Sequence, residues 1–196
     1  MGKRFTERQI QFEIYQELGE CYAHIGKQQE AIRYFNQALN SEPQSEKPHI
    51  GLGVVALQGA DLARAKEYFL QAVRLNPRSD KALSGLGMAL STNGSREEGM
   101  RKFREALDLN PENVTALMGL LESASILNQL AIIEIYLRKY LELHTADLRV
   151  LYCLAGVWYK LGRYREAQEA VDKILVFEPE NQDVLFLQKQ IKENLS

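Results

Sequence analysis

Apolar residues recur along the chain as paired helical stripes. Tyr15, Leu18, Gly19 and Tyr22 stand at i, i+3, i+4 and i+7, one face of a first helix. After a turn at Gly26, Ala31, Phe35 and Ala38 form the matching face of a second helix. Pro43 then marks the end of the unit, because proline cannot continue a helix. This layout returns every 34 residues, at Gly19, Gly53 and Gly87; Phe35, Phe69 and Phe103; Ala38, Ala72 and Ala106; and Pro43, Pro77 and Pro111. Four independent marks on one period make an internal repeat the governing feature of the chain. With places counted from Phe12, the helix–turn–helix units run 12–45, 46–79, 80–113, 114–147 and 148–181. An N-terminal helix extension over 1–11 precedes them, and a single helix over 182–196 follows. That last segment reads as a capping helix, with Lys189, Lys192 and Glu193 turned to solvent in place of a further unit.

The marks have separate physical reasons. Glycine at the eighth place, and alanine at the twentieth (Ala31, Ala65, Ala167), allow neighbouring helices to approach closely. The large side chain at the twenty-fourth place fills the wedge between them. One feature exceeds this plan. The segment SGLGMAL adds Gly85 to Gly87, and HIGLGVVAL adds Gly51 to Gly53. A glycine inside a helix costs about 1 kcal/mol relative to alanine.

The order aromatic, Leu-Gly, Tyr, Ala, Phe, Ala, Pro closely resembles the tetratricopeptide repeat. Units one to three match strongly, as in YQELGECY followed by AIRYFNQALNSEP. Unit five matches through Trp158, Gly162, Ala167 and Pro179, with Ala155 in place of the usual glycine. Unit four is degenerate: Leu121, Ile133 and Thr145 replace the Gly, Ala and Pro marks. The resemblance implies an all-α fold, a right-handed superhelix (α-solenoid) of about five such helix pairs plus the capping helix. It also implies a concave groove and a role in binding proteins or peptides.

Composition narrows the function further. The formal net charge of -2 supplies no global attraction to nucleic acid or anionic membrane. No apolar run is long enough to span a bilayer. The start, MGKRFTERQI, lacks the apolar core of a signal peptide. It loosely fits an N-myristoylation pattern through Gly2 and Thr6, but Thr6 with Gln9 also makes a capping box for the first helix. Cys21 and Cys153 do not read as a disulfide framework, which points to a reducing, cytoplasmic setting. His24, His49 and His144 lack metal-ligand spacing, and no phosphate loop or nucleophile constellation occurs. The expectation is a protein with no cofactor, no metal and no catalytic residues.

In the family that this chain resembles, places 2, 6, 9 and 13 of each first helix line the groove, flanked by places 5 and 12. Here those places yield Lys47, Ile50, Gly51, Val54, Leu57, Lys81, Gly85, Met88, Met118, Gly119, Arg149 and Tyr152 as the candidate partner-binding residues. The middle of the groove is apolar and one rim is basic, so the expected partner is an apolar peptide or helical segment with acidic flanks. The surplus glycines either allow tight helix packing or make room for that partner. The Lys and Asn clamp of chaperone-binding members is absent: its places hold Gln16, Glu20, Gly51, Lys81 and Gly85, and only Lys81 fits. A second candidate surface lies on unit four, whose LAIIEIYLRKYLEL places Ile132, Ile135 and Tyr136 where other units are mostly polar. Exposed, these would support a homo-oligomer or a self-assembling structural scaffold; local rearrangement that buries them is the other reading.

Overall fold

The computed structural model describes residues 6–195. Gly2, with its acylation pattern, and Ser196 at the end of the predicted cap lie outside the described residues. Among the described residues there are eleven α-helices and no strand. They are α1 (Glu7–His24), α2 (Gln28–Ser41), α3 (Lys47–Gln58), α4 (Leu62–Leu75), α5 (Asp80–Thr92), α6 (Arg96–Leu109), α7 (Val114–Ile126), α8 (Leu130–Leu143), α9 (Leu148–Lys160), α10 (Tyr164–Phe177) and α11 (Gln182–Leu195).

Local chemistry sets where helices start and stop. Thr6 caps α1: its hydroxyl accepts from the Gln9 backbone N–H, and Gln9 Oε1 accepts from the Thr6 N–H at 2.9 Å. Asp61, Ser79 and Asp147 cap α4, α5 and α9 in the same sense. The turn between paired helices is one motif repeated five times. The N–H groups of Lys27, Asp61, Ser95, Gln129 and Arg163 donate to the carbonyls of Tyr22, Ala56, Leu90, Ala124 and Trp158 at 2.8–2.9 Å. This six-to-one bond is the Schellman closure, which requires a left-handed residue just before its donor. Gly26, Gly94 and Gly162 take that position without strain. Ala60 and Asn128 take it at φ 58° and 53°, a conformation that disfavours a Cβ by about 1–2 kcal/mol.

The chain forms two compact units, divided between Gly119 and Leu120, within α7. In the first unit, Ala23, Ala31, Phe35, Leu52 and Val55 form one core, and Ala56, Ala65, Phe69, Leu86, Ala89 and Leu90 another. In the second unit, α11 packs on α10, and the core gathers Ala155, Ala167, Ala170, Val171, Ile174, Val184, Leu187 and Ile191. The second unit also carries a polar tie between helix pairs. Glu134 on α8 accepts from Trp158 Nε1 at 3.0 Å and from Arg163 Nη1 at 2.7 Å. Burial by itself would raise the Glu134 pKa, but the hydrogen bonds from Trp158 and Arg163 and the charges of Arg163 and Arg138 outweigh it and hold it below the ordinary value.

Candidate functional site

The surplus glycines resolve first, because they decide how much open groove there is. A Cβ built on Gly19, Gly53 or Gly87 would overlap the ring of Phe35, Phe69 or Phe103 in its own repeat. One built on Gly51, Gly85 or Gly119 would overlap the same three rings from the repeat that follows. Each phenylalanine is therefore seated between two glycines, one on each neighbouring first helix. Gly51, Gly85 and Gly119 have a packing role, the first of the two readings open for the surplus glycines. The first repeat has Glu17 at the corresponding position.

One cavity of the first unit lies on the predicted face. It measures about 690 Å³ and is lined by α1, α3, the turn after Asn76 and the start of α5. Of the candidate groove residues, Lys47, Ile50, Gly51, Val54 and Lys81 come together here. Lys47 and Lys81 are exposed, Val54 is 39% exposed, and Ile50 is half-buried against the α4–α5 core. Leu57 packs into that same core. Met88 and Met118 are exposed on α5 and α7, outside the residues lining this cavity. Arg149 and Tyr152 belong to the second unit. Arg149 is exposed, with Nε 3.6 Å from Asp147 Oδ1. Tyr152 is half-buried against the α10–α11 core; burial raises its pKa, and the Asp183 charge adds to that.

The charge of the cavity is less uniform than the sequence face suggests. Glu13, Glu17 and Glu20 on α1 line the cavity together with Lys47, Arg78 and Lys81. Glu13 is 3.4 Å from Lys47 Nζ, both side chains about half-exposed, so the pair contributes only about 0.2–1 kcal/mol. Glu46 accepts from Asn76 Nδ2 at 2.9 Å, and Asp80 accepts from Asn110 and Asn113 Nδ2, each at 2.8 Å. Sequence reasoning missed Arg78, which follows Pro77 in a turn instead of lying on a helix face, and it missed the burial of Gln16 at the flanking fifth place. Gln16 lies at the cavity wall, is 4% exposed, and donates from Nε2 to Glu20 Oε1 at 2.7 Å. No sequence signal marks a glutamine for burial.

The second candidate surface is smaller than expected. Tyr136 is 7% exposed and Ile132 is half-buried, so only Ile135, at 58%, stands out to solvent. Tyr136 is therefore core, not interface. His49, on the α3 face beside Tyr68, is partly buried, and burial lowers its pKa. Cys21 is exposed and Cys153 half-buried, both as free thiols. Among the described residues no group of His, Cys, Asp and Glu could hold a metal ion, and no helix is long and apolar enough to cross a membrane.

Residues 12–45 and 50–113 match families described as tetratricopeptide repeat, and residues 149–196 match the Fis1 C-terminal tetratricopeptide repeat. Together these matches take in most of the chain. Among solved structures, PilF of Pseudomonas aeruginosa aligns with a TM-score of 0.79 at 24% identity, over 96% of this chain and 86% of that one. MamA aligns at 0.68 and 19% identity, over 88% and 94% of the two chains. YrrB, described as a TPR protein with an unusual peptide-binding site, aligns at 0.67 and 16% identity, over 89% and 90%. At these identities the likeness shows the fold, an all-α helical repeat. No curated protein sequence matches the chain closely.

Proposed function

Since the chain belongs to the tetratricopeptide repeat family, we propose that it is a non-catalytic adaptor holding a partner's peptide or helical segment in the cavity of α1, α3 and α5. The fold in general is that of a protein–protein interaction scaffold. In this reading the repeats run 12–45, 46–79, 80–113, 114–147 and 148–181, with 182–196 as cap and 1–11 as extension. A cytoplasmic location belongs to the same reading, supported by the two free thiols.

The observation that carries the proposal is that Ile50 and Val54 line an open cavity between charged rims while the rest of the α3 apolar face is buried. Apolar contact supplies affinity and the rims supply orientation. Val54→Glu places a charge on the apolar wall, and capture of the partner should fall at least about tenfold while helicity and thermal midpoint stay close to wild type. Unchanged binding sinks the proposal. Gly85→Leu is no test of binding, because it would collide with Phe69 and unfold the packing. A second reading, self-assembly through unit four, rests on the exposure of Ile135. Ile135→Glu should abolish any association seen by sedimentation, and a strict monomer at high concentration removes that reading.

A further inference from the structure

We infer that the exposed face of α1 is a further docking surface, which takes an amphipathic helix of a partner protein carrying a lysine or arginine at the centre of its apolar stripe. The chain makes the same kind of contact repeatedly within itself. At the third place of α3, α5, α7, α9 and α11 stand Pro48, Ala82, Ala116, Val150 and Val184, and at the tenth place Val55, Ala89, Ser123, Val157 and Ile191. All of these are buried. They meet the second helix before them: Val55 gathers with Ala31 and Phe35 of α2, and Val184 and Ile191 with Val171 and Ile174 of α10. On α1 the same two places hold Ile14 and Cys21, and both are exposed, Ile14 at 51%. Ile10 and Ile25, four residues beyond them at either end, are exposed as well and lengthen the stripe. The open face of α11 is the contrast, since it shows Lys189, Lys192 and Glu193 to water, as a solvated repeat face does. An exposed apolar stripe in the register of a stacking contact marks an interface.

Glu17 sets the chemistry of the partner. It holds the sixth place, from which a Cβ on Gly51 or Gly85 points into the wedge ring of the second helix before it. A glutamate there leaves no seat for an aromatic wedge. Glu17 is exposed and makes no ion pair among the described residues. A lysine or arginine at the wedge position of the docked helix meets both conditions. Its slim stem lies beside Ile14 and Cys21, and its charge reaches the carboxylate. A second copy of the chain fits poorly, because two α1 faces joined about a two-fold axis bring Glu17 against Glu17.

The probe is the chain's own α2 sequence, residues 28–41, as a peptide stapled between the exposed positions 29 and 33, because so short a helix is marginal alone in water. It is made with Phe35 and with Phe35→Lys, and added to the full chain and to its Ile14→Glu, Glu17→Gly and Val54→Glu variants, each first checked for unchanged helicity and thermal midpoint. The readout is the alkylation rate of Cys21, with Cys153 followed separately by mass mapping. The expected result is that the Lys peptide slows alkylation of Cys21 at least about tenfold more than the Phe peptide at equal concentration. Glu17→Gly should reverse that preference, since it recreates the seat that Gly51 offers Phe35. Ile14→Glu should abolish protection by both peptides, and Val54→Glu should leave it unchanged. No protection of Cys21, or a preference that ignores Glu17→Gly, overturns the inference. Protection lost on Val54→Glu but kept on Ile14→Glu puts the peptide in the cavity, which overturns the inference and leaves the groove reading standing. A wild-type dimer in sedimentation that Ile14→Glu dissolves assigns the face to a second copy and overturns it too.

Discussion

Repeats one to three and repeats four to five solve the same packing problem with opposite volumes. In the first three, the wedge between helices holds Phe35, Phe69 or Phe103, and a glycine lies on each side of the ring. In the last two the wedge residues are Leu137 and Val171. The corresponding positions are larger: Leu121 and Cys153 for Leu137, and Ala155 and Leu187 for Val171. All three wedge phenylalanines, Leu137 and Val171 are fully buried. A smaller wedge residue thus goes with larger residues at the positions that hold glycine in the first three repeats. The difference teaches that Gly51, Gly85 and Gly119 follow from the size of the preceding ring.

The comparison breaks most visibly if a ring is removed. Phe69→Ala empties a seat built for an aromatic and should cost about 3–5 kcal/mol, read from urea denaturation. A loss under about 1 kcal/mol would mean that the seat collapses freely and that the glycines are not tuned to it. Filling the seat from the other side comes next. Gly85→Ala should destabilise by about 1–3 kcal/mol, despite alanine's better helix propensity, because its Cβ enters the Phe69 ring. The same change made in a Phe69→Leu background should cost at least about 1 kcal/mol less. Additive effects of the two substitutions would refute the volume exchange.

The later repeats are held in part by charge, and this can be separated by pH. Glu134 is ionised with a depressed pKa, so its contribution is complete above the ordinary carboxylate value of 4.5 and disappears as pH falls through the folded pKa. Denaturation of wild type and Glu134→Gln should therefore differ at neutral pH and converge in acid. A constant gap across that range would show that the Trp158 and Arg163 bonds to Glu134 do not depend on its charge. The smallest effect is the sharpest control. Gly156 lies inside α9 and a Cβ there meets nothing, so Gly156→Ala should stabilise by about 0.5–1 kcal/mol. The opposite signs expected at Gly85 and Gly156 distinguish a glycine kept for packing from one that is merely tolerated.

Much of the helical layout was legible in the sequence because its causes are local. The Thr6 capping box, the left-handed glycines at Gly26, Gly94 and Gly162, and the buried stripe of Ala31, Phe35 and Ala38 each depend on residues within a few positions. The candidate site was legible only as a face. Lys47, Ile50, Val54 and Lys81 could be placed on it from spacing. Arg78 could not, since its position depends on a turn, and Gln16 stands at the flanking fifth place with no local sign that a neighbouring helix would bury it.

What the sequence determined by itself was the period, the helix ends and the identity of the wedge residues, all encoded in recurrence and in short-range backbone chemistry. Tertiary structure alone decided which rings Gly51, Gly85 and Gly119 pack against, that Tyr136 is core, and that Gln16 is buried. The physical reason is the same in each case. A side chain's role is set by the atoms that reach it from the next repeat, and periodicity within one helix does not specify their shape.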